Sequence, residues 1–307
     1  MICKPIQECR ISKKKDLITV GKFKGMSLTG TFPKNKKQKI PYLPFQVVFS
    51  KSSKLLQLKH NYKSEILYGN NYGYLSSLNP IMVKHLKEKS LFLKKKIKLT
   101  NKDFILDIGS NDGTFLNFFN GENLFGIDPS IKKLKIHYKK GIKKISSTFE
   151  KGYHFIKERK FKLITAIAMF YDLEDPVLFT KKIKSILDQD GIFHIEIAYL
   201  PEIIKTFSYD TFCQEHLEYY SLISLNYLFN KTDMKIIDFG FNKINGGSIW
   251  LNITHKKSKF KENNNKIKKQ IKYEINKKFH KKETYIKYFN KVLKHGERIN
   301  SIIKKIK

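Results

Sequence analysis

Between residues 103 and 200 the chain alternates short, continuously apolar runs with longer stretches in which apolar residues recur at helical spacing. The runs at 104–108, 124–128, 162–168 and 191–197 predict strands buried on both faces. Residues 176–187, with Val177, Phe179, Ile183 and Ile186 on one face, predict one of the intervening helices. Alternation of this kind marks parallel βαβ units, so the expected class is α/β with a Rossmann-like sheet. Two further apolar runs, 234–239 and 248–254, are expected to complete it.

The flanks have other patterns. Residues 1–75 hold short β-type runs, Leu17-Ile18-Thr19-Val20 and Phe45-Gln46-Val47-Val48-Phe49, broken by Gly, Pro and Lys-Ser clusters, which predicts a small β-rich module. A helix is expected over 80–94, and residues 76–256 then form the central domain. From 257 to 307 the chain is Lys-dense, with Ile267, Ile271, Ile275 and Phe279 at four-residue intervals. That spacing predicts an amphipathic helix, followed by a second from about residue 283, together making a basic helical tail.

Charge changes the picture less than its size suggests. The net charge is +34, which ordinarily points to nucleic acid or an anionic surface. Yet the only arginines are Arg10, Arg159 and Arg298, and phosphate recognition favours the planar guanidinium. Lys enrichment alongside Ile, Asn, Phe and Tyr is the pattern of compositional drift, so nucleic acid is not the expected partner, and the tail reads as a solvated face. Three irregularly spaced cysteines, Cys3, Cys9 and Cys213, imply a reducing compartment. No apolar run suits a membrane span, and a cytoplasmic protein is expected.

The chemistry concentrates in Asp107-Ile108-Gly109-Ser110-Asn111-Asp112-Gly113, which follows a predicted strand and is expected to open a helix. Gly109 and Gly113 permit backbone shapes that bring a ligand against the main chain. Asp128 closes the next strand, where a carboxylate can accept the hydroxyl protons of a ribose. A dinucleotide turn crowds glycines around a pyrophosphate, whereas Asp107 and Asp112 would repel phosphate. A cationic ligand bearing sulfonium and ammonium groups suits this loop, and S-adenosylmethionine is that ligand.

DIGSNDGTF followed by FGIDPS resembles the cofactor motifs of sugar C-methyltransferases acting on nucleotide-linked deoxyhexoses. The likeness continues through YGNNYGYLSSLN, MFYDLEDP, DGIFHIEIAYLP, EHLEYYSL and INGGS. It implies a class I methyltransferase that binds S-adenosylmethionine through Asp107, Gly109, Ser110, Asn111, Asp112, Gly113, Asp128 and Met169. It implies a nucleotide-sugar substrate held by Tyr72, Tyr74, Glu196, Gly247 and Ser248. His216, matching a family Glu-His pair, is the implied base, with Glu215 orienting it or binding substrate and Tyr171 beside the transferable methyl. Each of these side chains also has a plainer reading as packing or loop capping.

The chain departs from the family in four places. The family's amino-terminal module carries two Cys-x-x-Cys pairs, represented here by Cys9 and Ser12 and by Ser50 and Ser53, so no zinc is expected. Gln214 stands where relatives have a further His, and Trp250 where they have an Arg. The resemblance also implies a last lobe beyond the segment ending at Arg298, which a separate chain would have to supply.

Overall fold

The computed structural model describes residues 2–30, 33, 35, 37–68 and 73–306. The amino-terminal part supplies strands β1 (Cys3–Pro5), β2 (Leu17–Ser27), β3 (Tyr42–Ser50), β4 (Leu56–Leu58) and β5 (His60–Tyr62), then helices α1 (Ser64–Leu67) and α2 (Pro80–Ile97). Asn79 starts α2 by accepting the Ile81 amide at 3.0 Å, and Pro80 in the first turn has no amide to leave unpaired.

The central part runs β6 (Ile105–Ile108), β7 (Leu124–Ile127), α3 (Ile131–Leu134), β8 (Lys143–Ile145), α4 (Phe149–Gly152), β9 (Phe161–Ile167), α5 (Pro176–Ile186) and β10 (Leu187–Ala198). It continues through α6 (Leu200–Thr206), β11 (Glu218–Tyr219), α7 (Leu222–Lys231), β12 (Met234–Asn242) and β13 (Ser248–His255). The chain ends in α8 (Asn264–Asn276) and α9 (Lys282–Ile306).

Seven strands form the main sheet in the order β12-β13-β10-β9-β6-β7-β8. The pairs from β10 to β8 are parallel, and β13 enters antiparallel between β10 and β12. This is the Rossmann-like class I sheet that the pattern of apolar runs predicts. Alternate residues build the two sides: Leu106, Ile164 and Phe193 join the core with α5 and α7, while Ile105, Leu163 and Ile192 join Leu86 and Leu93 of α2.

The amino-terminal β-rich module is present, but it is not closed upon itself. Its sheet, in the order β11-β4-β3-β2, takes β11 from the central part of the chain. Helix α9 covers β2: Tyr285, Tyr288, Phe289 and Val292 are buried in the same apolar cluster as Phe45, Val47 and Leu58. Gly21 is required there, because a β-carbon on it would stand 2.7 Å from Cγ of Phe289. Helix α8 is fastened by Glu274, which accepts the amides of Leu222 at 2.8 Å and Ile223 at 2.9 Å and so caps the start of α7.

Three expectations are corrected. No α-helix follows the glycine turn; after Gly113 the chain makes only a 3-10 turn at Leu116–Phe118. There Asn117 binds the His137 carbonyl at 2.8 Å and the Lys139 amide at 2.9 Å, and Gly121 at φ +143° reverses the chain. In the tail, Ile275 is exposed and Phe279 lies beyond the end of α8. Each four-residue step overshoots a helical turn by roughly 40°, so only Ile267 and Ile271 share a face. Strand β10 begins at Leu187 rather than 191, the sheet register breaking before Ile192. Among the described residues no helix is long and apolar enough to cross a membrane.

Candidate active site

Connections from β6 run to β7 on one side and return to β9 on the other, so the crevice beyond the carboxyl end of β6 is the topological switch point. A cavity of about 400 Å³ opens there. Its wall includes Asp107, Gly109, Ser110, Asn111, Asp128 and Met169, six of the eight residues expected to hold the cofactor. Tyr74, expected to meet substrate, lines it as well, and its carbonyl accepts from Asn111 Nδ2 at 2.9 Å.

Gly109 sits at φ +71°, and a β-carbon there would press on Met169 Cγ at 2.8 Å. Its bare backbone is what leaves the main chain open to a ligand. Asp128 holds the loop by accepting the Asn111 amide at 3.1 Å and the Ser130 amide at 2.7 Å. Asp107 is 4% exposed and accepts from Thr165 Oγ1 at 2.6 Å. Burial, with a smaller push from the nearby Asp128 charge, raises the Asp107 carboxyl to about 7 despite that hydrogen bond.

Asp112 and Gly113 stand behind the wall. Asp112 is fully buried, accepting from Thr114 Oγ1 at 2.6 Å and from the Ser77 amide at 2.9 Å, which ties the loop to the segment ahead of α2. Burial opposes its ionisation, but the hydrogen bonds from Thr114 and Ser77 prevail and hold it below the usual carboxylate range. Gly113, at φ +79°, makes room for the ring of Tyr138, whose Cδ1 would be 2.6 Å from a β-carbon. The Tyr138 hydroxyl then bridges Ser110 at 2.7 Å and the Asn111 carbonyl at 2.9 Å.

None of the three expected catalytic residues is among those lining the cavity, but they adjoin Asp172 and Tyr68, which are. The ring of His216 packs edge-on against Tyr171, with centroids 4.4 Å apart, and the Leu217 amide donates to the Tyr171 carbonyl at 2.8 Å. His216 Nδ1 lies 2.9 Å from the Thr211 carbonyl, which can only accept, so this contact fixes the tautomer of the neutral ring with the proton on Nδ1. The Glu215 carbonyl accepts from the Tyr68 hydroxyl at 3.2 Å, and Tyr68 lines the cavity. Gln214 is turned the other way, accepting from the Thr29 amide at 3.3 Å and donating to the Met26 and Ser27 carbonyls at 3.2 and 3.1 Å. It clamps β2 and takes no part in the His216 cluster.

Other expected substrate contacts lie elsewhere. Glu196 is 3% exposed in an ion triad with His85 at 2.6 Å and Lys89 at 2.8 Å, both on α2, and does not line the cavity. Burial opposes its charge, yet the His85 hydrogen bond and Lys89 bring its carboxyl down to about 2. Gly247 donates to the Ile244 carbonyl at 3.0 Å and fits against Glu202, and Ser248 donates to the same carbonyl at 2.9 Å; both are away from the cavity. Trp250 instead lies under Lys89, whose Nζ is 5.0 Å from the ring. Tyr72 lies outside the described residues.

Sequence reasoning passed over Asp172, which lines the cavity directly after Tyr171. It also left Ser147, Thr148 and Phe149 unnoticed, which bring the turn after β8 into the cavity wall. In the amino-terminal module, Cys9, Ser12, Ser50 and Ser53 do converge: Cys9 Sγ is 3.1 Å from Ser53 Oγ, the Ser12 amide donates to that sulfur at 3.4 Å, and the Ser53 amide to Ser50 Oγ at 3.3 Å. One thiol and three neutral hydroxyls, already engaged with each other and with Asp16, are a poor donor set for zinc.

Residues 84–238, just over half of the chain, match the family described as methyltransferase domain. The chain is 28% identical over 255 residues to the C-methyltransferase NovU of Streptomyces niveus, and the match covers 81% of this chain. It spans only 60% of NovU. Among solved structures, the plantazolicin methyltransferase BpumL in complex with a pentazolic desmethylPZN analog and SAH aligns over 58% of this chain and 86% of its own, at 15% identity and a TM-score of 0.44. Magnesium protoporphyrin IX methyltransferase from Synechocystis PCC 6803 with bound SAH aligns over 62% and 91%, at 11% identity and a TM-score of 0.42. With the family's sequence pattern laid over a class I sheet, the chain belongs to the S-adenosylmethionine-dependent methyltransferase domains.

Proposed function

We propose that this chain, through a catalytic domain spanning residues 76–256, transfers the methyl group of S-adenosylmethionine to a carbon of a nucleotide-activated ketosugar. The observation that carries the cofactor half is the cavity at the switch point, where Asp107 and Asp128 share one wall with the open backbone of Gly109. A carboxylate at Asp128 accepts ribose hydroxyl protons, and the acidic wall favours a ligand with a net positive charge. When bound, the cofactor supplies an electrophilic methyl group on sulfur.

Carbon next to a ketone becomes nucleophilic only after losing a proton. His216 supports this half of the reading, because its Nδ1 proton is committed to Thr211 and Nε2 is left to act as base. Tyr171 fixes the ring, Glu215 orients it from the adjoining position, and Tyr72 and Tyr74 hold the sugar. The sequence likeness to a protein named as a C-methyltransferase supports attack by carbon.

The test is incubation with methyl-labelled S-adenosylmethionine and a panel of nucleotide-linked 4-ketohexoses. A labelled carbon–carbon bond in one of the sugars is the expected outcome. Tight cofactor binding with no transfer to any member, or transfer to oxygen alone, would discard the carbon-acid reading.

A further inference from the structure

The loop from Met169 to Asp175 carries a carboxyl group that the reaction above does not yet use. Asp172 lines the cavity, yet its Oδ1 is shut off from solvent without a hydrogen-bond partner. Its neighbours on the same loop are spoken for: Glu174 accepts from Asn61 Nδ2 at 2.8 Å, and Asp175 meets Lys13 Nζ at 2.9 Å while capping the Leu178 amide at 3.0 Å. Those contacts bolt the loop to the amino-terminal module and leave Asp172, whose carboxyl group meets the Tyr68 hydroxyl, with an Oδ1 free of any partner among the described residues.

Among the described residues Asp172 forms no salt bridge with a lysine or arginine, and the buried Arg10 is spent on Glu218 at 3.4 Å and on the Leu58 and His60 carbonyls at 2.7 and 3.1 Å. Glu218 is itself a buried carboxyl within electrostatic reach of Asp172, so the two oppose each other's ionisation. Burial is the largest influence on Asp172 and raises its pKa well above the usual carboxylate range. The His216 imidazole and the Tyr68 hydroxyl pull it down, and Cys213 and Glu215 push it further up. Enclosure beside a second buried carboxyl, with Oδ1 unpaired, favours the neutral acid, the form that can donate a hydrogen bond into the cavity.

We propose that Asp172 is a catalytic residue that donates a hydrogen bond to the substrate's carbonyl oxygen while His216 takes the proton from the adjacent carbon. This rests on the carbon-acid reading above. As the carbon–hydrogen bond breaks, the proton passes to His216 Nε2 and the electron pair moves onto the carbonyl oxygen, facing the Asp172 hydroxyl. The pair on oxygen then returns to re-form the carbonyl, the carbon bonds the methyl group, and the electron pair of the broken sulfur–methyl bond stays on sulfur. A neutral acid suits this task better than a carboxylate, which would repel the developing oxyanion.

Two measurements on the full chain test the assignment. In difference infrared spectra at pH 7, the wild type is expected to show the carbonyl stretch of a protonated carboxylic acid that D172N lacks; a carboxylate signal in its place overturns the proposal. In deuterium oxide with the demethylated cofactor S-adenosylhomocysteine bound, exchange of the proton next to the ketone in a nucleotide-linked 4-ketohexose reads enolisation alone. D172A is expected to slow that exchange about 100-fold or more, and D172N, which still donates a hydrogen bond, about tenfold. Cooperative thermal unfolding and far-ultraviolet circular dichroism close to wild type verify that both variants fold. Wild-type exchange in D172A overturns the role of Asp172 alone, whereas a wild type that neither exchanges nor methylates any ketosugar removes the carbon-acid reading and the assignment with it.

Discussion

Asp107 and Glu196 are both buried carboxyl groups near the sheet's carboxyl edge, and their surroundings drive them in opposite directions. Asp107 sits near 7 before any ligand arrives, so a cationic ligand binding beside it displaces a proton. Affinity for S-adenosylmethionine is expected to rise as pH increases through about 7, with proton release detected by calorimetry in buffers of different ionisation enthalpy. Asp128→Asn, which keeps the shape but removes the charge on the ribose side, is expected to weaken cofactor binding between about tenfold and 100-fold. Glu196 has the reverse sign. Its folded pKa of about 2 lies below the ordinary value of 4.5, so its stabilisation is complete above about 4.5 and is lost as pH falls toward about 2. Glu196→Gln, which strands Lys89 in the interior, is expected to lower stability by about 3 kcal/mol in urea unfolding at pH 7. The sequence showed both acids at strand ends but not their partners, because His85 and Lys89 come from a helix more than a hundred residues away.

At the scale of elements, what could be read in advance was what repeats locally. The strands around the glycine turn were visible as apolar runs, since each is buried on both faces. Strand β8, Lys143–Ile145, was not, being a three-residue edge with exposed lysines. Strand β11 is two residues long and exists only because β4 offers it an edge. Helix α9 was foreseen, but not its partner: the ring of Phe289 fills the space left by Gly21 and meets Phe23 edge-on with centroids 6.0 Å apart. Phe289→Ala is expected to cost about 3–5 kcal/mol in denaturant unfolding. A loss under about 1 kcal/mol would show that α9 is not part of the folded core.

For the molecule as a whole, the sequence announced its net charge but not where the opposite sign is stored. Asp128, Glu150, Glu174 and Asp175, with Asp107 and the neutral acid proposed at Asp172, line one cavity, and Lys151 is the one lysine among its lining residues. This arrangement emerges only when β6, β7, β9 and the turn after β8 are folded against one another. The amino-terminal module contributes to it from outside, through Asn61 and Lys13 on the acidic loop.

An acidic chamber inside a body carrying +34 works as a filter with two settings. The distant field turns away cations that the chamber itself would welcome, and it draws in the anionic diphosphates that the chamber would reject. Dissolved ions mute the outer field far more than the field of the chamber, because the outer field is long-ranged and the chamber is enclosed. Moderate sodium chloride is therefore expected to speed association of the sulfonium cofactor while slowing that of a nucleotide sugar, in stopped-flow measurements of each. Slowing of the cofactor as well would mean that the acids within, rather than the lysines outside, steer its entry.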